Sequence, residues 1–155
     1  MIIMILDDEP FRVRGYVDAL RAHFHKAAVY FRESAEYLVE FIHNIEAQGR
    51  TRELCLILDV MLGGEDNATS LDTILLDEHW GPFLIERDIP VLILTNKRKA
   101  DVEHEVFSIA FEVPAGSGNK LRYSRSRIEV RQKHMTSDID LPWIAERLFT
   151  QAPAQ

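Results

Sequence analysis

Uninterrupted apolar runs that stop on a polar side chain punctuate this chain. Leu54-Cys55-Leu56-Ile57-Leu58 ends on Asp59. A run with no polar face predicts a central strand buried on both sides. Ile2 to Leu6 repeats the pattern and stops at Asp7-Asp8-Glu9-Pro10. Proline suits the first turn of a helix, and acids favour a helix N-terminus. Phe11, Tyr16, Val17, Leu20 and Phe24 then recur at roughly helical spacing. Ala27 to Phe31 predicts a second strand. Ser34 is a suitable N-cap for a second helix whose apolar face is Tyr37, Leu38, Phe41, Ile42 and Ile45, with Gly49 as its stop.

Beyond Asp59, Met61-Leu62-Gly63-Gly64-Glu65-Asp66-Asn67 predicts an acidic, turn-forming loop. Two helices compete for the next stretch. The preferred one is capped by Thr69 or Ser70 and carries Leu71, Ile74 and Leu75; the other spans Pro82 to Glu86. Pro90 to Thr95 reads as a fourth strand ending on a hydroxyl, and Lys99 to Ala110 as a helix. The stretch 112–127 contains Pro114, Gly116, Ser117, Gly118 and Asn119, and predicts an irregular excursion or hairpin. Ile128 to Lys133 is the fifth strand, ending on an amine. Asp140-Leu141-Pro142 opens a last helix with Trp143, Ile144, Leu148 and Phe149 as its inner face; residues 151–155 read as a frayed tail.

Strands alternating with helices imply an α/β fold, a doubly wound five-stranded parallel sheet covered on both faces. The flavodoxin-like order 2-1-3-4-5 has its switch point between the first and third strands. Asp7, Asp8 and Asp59 would meet there. A length of 155 residues suits one domain, residues 1–150.

Net charge of −7 argues against a nucleic-acid-binding surface over the whole molecule. The single cysteine, Cys55, allows no disulfide and points to a cytoplasmic protein. The apolar opening Met1 to Leu6 meets Asp7 at once and is too short to span a membrane.

Three carboxylates from two strand ends repel one another, which raises a pKa or recruits a cation. Hard oxygen ligands favour Mg²⁺. Asp59 is then a candidate nucleophile towards a phosphoryl group, forming an aspartyl phosphate. Thr95 and Lys133 offer a hydroxyl and a fixed positive charge for the phosphoryl oxygens.

The ordered motifs Asp7-Asp8-Glu9-Pro10, Leu58-Asp59-Val60-Met61-Leu62-Gly63 and Pro90-Val91-Leu92-Ile93-Leu94-Thr95 resemble those of a two-component response regulator receiver domain, CheY-like in fold. The resemblance implies that Asp59 accepts a phosphoryl group from a sensor histidine kinase or phosphotransfer protein. It implies that Asp8 binds Mg²⁺ directly, Asp7 through water, and Met61 through its carbonyl. It makes Thr95 the switch hydroxyl and the chain a signalling protein rather than an enzyme acting on other molecules. Receivers carry a Lys-Pro pair after the fifth strand, where this chain has Lys133-His134, and an aromatic switch residue where it has Val130. Thirty-seven residues separate Thr95 from Lys133, more than one helix and two short loops require. Lys120 is nearer, but Gly116-Ser117-Gly118-Asn119 before it forms no strand.

Two other functions compete. One is a protein-interaction module of receiver fold that no longer switches on phosphorylation. The other is a Mg²⁺-dependent phosphohydrolase, ranked last because Met61 stands where such enzymes want a second acid. The six histidines show no metal-ligand spacing, and Trp80 and Trp143 read as core. The segment from Lys97 to Lys133 carries nine bases and five acids in an acidic chain. That asymmetry predicts an acidic partner surface or a homodimer formed through 97–133.

Overall fold

The computed structural model describes residues 1–7, 9–60 and 71–151. Asp8, the turn from Met61 to Asn67, the cap at Thr69 or Ser70, and the tail beyond Gln151 lie outside these.

Five parallel strands form the sheet: β1 (Ile2–Leu6), β2 (Ala28–Arg32), β3 (Leu54–Asp59), β4 (Val91–Thr95) and, after the short hairpin strands β5 (Phe111–Glu112) and β6 (Lys120–Leu121), β7 (Ile128–Gln132). Their order is β2-β1-β3-β4-β7, the expected 2-1-3-4-5 arrangement once the hairpin is set aside. Between them run α1 (Pro10–His23), α2 (Ala35–Ala47), α3 (Trp80–Glu86) and α4 (Lys99–Ser108), and α5 (Leu141–Phe149) closes the fold.

Period-two alternation along each strand divides the core into two layers. Met4, Leu6, Leu56, Leu58, Val91, Ile93, Ile128 and Val130 face a layer containing buried residues of α2, α3 and α4. Ile3, Ile5, Cys55, Ile57, Leu92 and Leu94 face the other layer, with Val13, Tyr16 and Leu20 of α1 and Leu141, Ala145 and Leu148 of α5. Every residue of β1, β3 and β4 is buried. Each such Leu or Ile contributes roughly 1.5–3 kcal/mol by leaving water, which makes these strands the rigid frame of the molecule.

Three expectations need correction. The regular helix after Asp59 is α3, the alternative that contains Pro82; Leu71, Ile74 and Leu75 form only a buried π-helical turn, Leu71–Leu75. Trp143 is 65% exposed, because the inner stripe of α5 runs through Leu141, Ala145 and Leu148 and position 143 projects from another side. Phe11 and Tyr37 are likewise exposed, at 92% and 55%, so Val13, Tyr16, Val17 and Leu20 make the α1 face. Trp80 is buried, with its ring edge-on to Phe83 at 5.3 Å.

The excursion is ordered. Phe111 of the hairpin lies against Gly81, where an added Cβ would meet its ring. The Tyr123 hydroxyl donates to the Leu75 carbonyl at 2.6 Å. The insertion is thereby fastened to the segment that follows Asp59 in the chain. At the opposite end of the sheet, buried Arg127 donates through Nη1 to the Gln151 carbonyl at 3.0 Å. Its Nε donates to the Asp88 carbonyl at 3.0 Å, securing a turn in which Asp88 has a φ of 50°.

Candidate functional site

Strand register places the polar residues at one edge. Leu6 pairs with Leu58, so Asp7 and Asp59 leave the sheet side by side. Asp59 pairs with Leu94 and Thr95 with Gln132, so Thr95 and then Lys133 follow, each one step further along. All four residues stand at the carboxyl ends of parallel strands, where open α/β sheets bind ligands.

Lys133 begins a short 3₁₀ turn directly after β7, which swings its side chain inward. Its Nζ donates to Asp59 Oδ2 at 2.6 Å. It also lies 3.7 Å from Asp7 Oδ2, close enough for ion pairing but too far for a hydrogen bond. All three side chains are 1% exposed. Lys120, the nearer alternative in sequence, is exposed and paired with Glu112 at 3.2 Å.

Asp7 Oδ1 accepts the Glu9 backbone N–H at 2.9 Å, while Oδ2 is buried without a hydrogen-bond partner among the described residues. Burial raises the Asp7 pKa above the usual carboxylate value; the Glu9 N–H and the Lys133 ammonium oppose that rise. Thr95 is fully buried, and its Oγ1 accepts the Lys97 backbone N–H at 2.9 Å, which ties it to the β4–α4 turn. Val130 lies in the α2–α3–α4 layer, 2% exposed, with no ring to turn outward.

Two neighbours, Tyr16 and Arg12, were not among the site residues expected from the sequence. Tyr16 projects from α1, and burial pushes its hydroxyl up to about 12; Arg12 opposes this, while Asp7, Asp138 and Asp59 add to it. Arg12, one turn earlier, pairs with Glu9 at 3.3 Å through Nη2. Their four-residue spacing puts them on one helix face, a signal the sequence did carry.

The donor set suits a hard divalent cation. Two carboxylates converge, and one buried oxygen, Asp7 Oδ2, has no hydrogen-bond donor among the described residues. Asp8 and Met61, the other expected ligands, lie outside the described residues. Asp7 and Asp59 are the described residues that would hold Mg²⁺.

No family model matches the chain, and no curated protein does. Solved structures do. The signal receiver domain of a DNA-binding response regulator from Colwellia psychrerythraea 34H superposes with a TM-score of 0.62 at 15% identity, covering 97% of this chain and 99% of its own. The fold is that of a receiver domain. A response regulator receiver domain from Rhodospirillum rubrum gives a TM-score of 0.61 at 14% identity, covering 99% and 97%. The RcsB response regulator of Salmonella typhimurium gives 0.51 at 15% identity, covering 98% of this chain and 71% of that one. Within the receiver fold, the β5–β6 hairpin accounts for the long spacing between Thr95 and Lys133. No helix among the described residues is long and apolar enough to cross a membrane.

Proposed function

We propose that this chain is a phosphoacceptor domain of two-component signalling. The observation that carries the reading is the buried cluster of Asp59, Asp7 and Lys133 at the sheet's carboxyl edge. A carboxylate oxygen of Asp59 attacks the phosphorus of a phosphohistidine on a sensor kinase or phosphotransfer protein. The P–O bond forms, the P–N bond breaks, and the imidazole leaves after taking up a proton. Lys133 moves from the carboxylate to a phosphoryl oxygen, which keeps its charge paired throughout. Asp7 and Asp59, with Asp8 and the Met61 carbonyl that the resemblance implies, would hold Mg²⁺, which would neutralise charge on the phosphoryl oxygens. The chain's own turnover is limited to modification of Asp59, and its output is a changed docking surface.

Partners would dock on the face made by α4 and the hairpin, a second copy of the chain among them. Two of the nine bases counted in this segment, Arg127 and Lys133, are buried and take no part in that face. Lys97, Lys99 and Arg122 are exposed with no carboxylate partner among the described residues.

The test is intact-mass spectrometry with Mg²⁺ and acetyl phosphate. One phosphoryl adduct is expected on the parent and none on Asp59→Asn. Absence of the adduct at saturating donor would defeat the reading and favour a phosphorylation-independent interaction module. That second reading draws on buried Val130 and locally bound Thr95, which leave the usual hydroxyl-and-aromatic relay without its ring.

A further inference from the structure

Two side-chain atoms among the described residues are buried without a hydrogen-bond partner, Asp7 Oδ2 and Arg12 Nη1. They belong to opposite charges and to adjoining elements, the end of β1 and the first turns of α1. A buried donor or acceptor left unpaired costs its full desolvation, so such atoms are rare in folded proteins. Arg12 does not satisfy Asp7 directly: its ion pair is with Glu9, through the other nitrogen, Nη2. Glu9 thus steadies the guanidinium by one arm and leaves Nη1 without an acceptor.

The unmet needs are complementary. Asp7 Oδ2 lacks a hydrogen-bond donor, the Lys133 ammonium standing 3.7 Å away, and Arg12 Nη1 lacks an anionic oxygen. A phosphoryl group accompanied by a divalent cation presents both. The placement points the same way, since α1 begins just after Asp7 and carries Arg12 and the buried Tyr16 one turn apart on one face.

We propose that Arg12 is a phosphoryl-binding residue: Nη1 donates to a phosphoryl oxygen from the α1 side, as Lys133 does from the β7 side. This rests on the phosphoacceptor reading of Asp59. A planar, permanently charged guanidinium suits phosphate oxygens. It would add a second fixed cation to the site beside the metal. Bare metal and Arg12 repel each other, and only the anion between them makes both favourable. Arg12 therefore has opposite effects on the two ligands, which a merely structural arginine would not have.

The experiment compares the parent with Arg12→Ala, Arg12→Gln and Arg12→Lys, each checked for its melting transition; Arg12→Gln keeps the stem should alanine unfold the helix. Mg²⁺ affinity is measured alone by calorimetry. Beryllofluoride affinity, with the ion as phosphoryl mimic, is measured at saturating Mg²⁺. Loss of one charged hydrogen bond predicts beryllofluoride binding about tenfold weaker or more in Arg12→Ala and Arg12→Gln. Mg²⁺ alone should bind as well as in the parent or better, and Arg12→Lys should recover part of the loss. Unchanged beryllofluoride affinity in a folded Arg12→Gln, or parallel loss of both ligands, overturns the role of Arg12 while leaving Asp59 as acceptor. A parent chain that takes neither beryllofluoride nor a phosphoryl group at Asp59 overturns both.

Discussion

Lys133 Nζ sits 2.6 Å from Asp59 Oδ2 with both side chains closed to solvent, although 74 positions separate them in the chain. A pair this deep loses nearly all hydration, and each charge depends on the other. Lys133 also serves Asp7 at 3.7 Å, so the two ends of the pair are not equivalent. Removing Lys133 takes one cation from two carboxylates. Neutralising Asp59 leaves the amine with Asp7.

Lys133→Met is therefore expected to destabilise the metal-free protein by about 3–5 kcal/mol, and Asp59→Asn by clearly less. The double variant should recover part of the Lys133→Met loss, because one of the two carboxylate charges that faced the amine is gone. Urea unfolding of all four proteins in EDTA measures this cycle. Equal losses from the two single changes would mean that Asp7 takes no share of the amine.

Asp7 gives a pH dependence of definite sign. Burial raises its pKa above the ordinary 3.8, so the folded chain binds this proton more tightly than the unfolded chain. That contribution is fully present below 3.8 and is lost as pH rises through the raised, folded value. Asp7→Asn removes the cost of the buried charge. It should stabilise the metal-free protein near pH 7, with an advantage that shrinks as pH falls towards 4. Melting temperatures across that range in EDTA check it. An advantage independent of pH would place the cause in packing.

The sheet was legible because the runs Ile2 to Leu6, Leu54 to Leu58 and Val91 to Leu94 suit strands buried on both faces, and five strands alternating with helices leave few topologies. The stretch after Asp59 was not. A five-residue π turn and a seven-residue helix are both too short for periodicity to rank them. Trp143 misled because its size suggested core, whereas position along α5 decides exposure. Asp7, Asp59 and Thr95 were readable as the last residues of apolar runs. Lys133 needed the hairpin to be recognised as an insertion, since counting from Thr95 reaches exposed Lys120 first. The unpaired nitrogen of Arg12 has no trace in the sequence; it is a property of packing.

The insertion should depend on Tyr123. Its hydroxyl bonds the buried Leu75 carbonyl at 2.6 Å, and Tyr123→Phe leaves that carbonyl unpaired. A loss of about 1–3 kcal/mol is expected. Hydrogen exchange should quicken in Leu71–Leu75 and in the hairpin together, because this bond joins them. Gly81→Ala should cost about 1–3 kcal/mol by pressing on the Phe111 ring. Faster exchange in the hairpin alone would mean that the π turn is held by its own buried Leu71, Ile74 and Leu75.

The α4–hairpin face carries less free charge than the sequence count suggests. Arg125 pairs with Glu103 at 3.4 Å, and its guanidinium stands 4.1 Å over the Phe107 ring. Arg122 reaches the Ser108 carbonyl at 3.4 Å, where a cation suits the C-terminus of α4. Both remain exposed and can be shared with a partner. Arg122→Glu with Arg125→Glu should weaken self-association or partner capture, while the Asp59 adduct forms as in the parent. The parent's association should also weaken with salt, since exposed charges are screened over about 8 Å at physiological ionic strength. Because Arg122→Glu puts an anion at a helix C-terminus, Arg122→Gln with Arg125→Gln separates charge reversal from loss of that contact. A surface that works by charge gives the order parent, glutamine pair, glutamate pair in sedimentation and pull-down. If all three associate alike, the six exposed bases of this segment and the acids around them only solvate it.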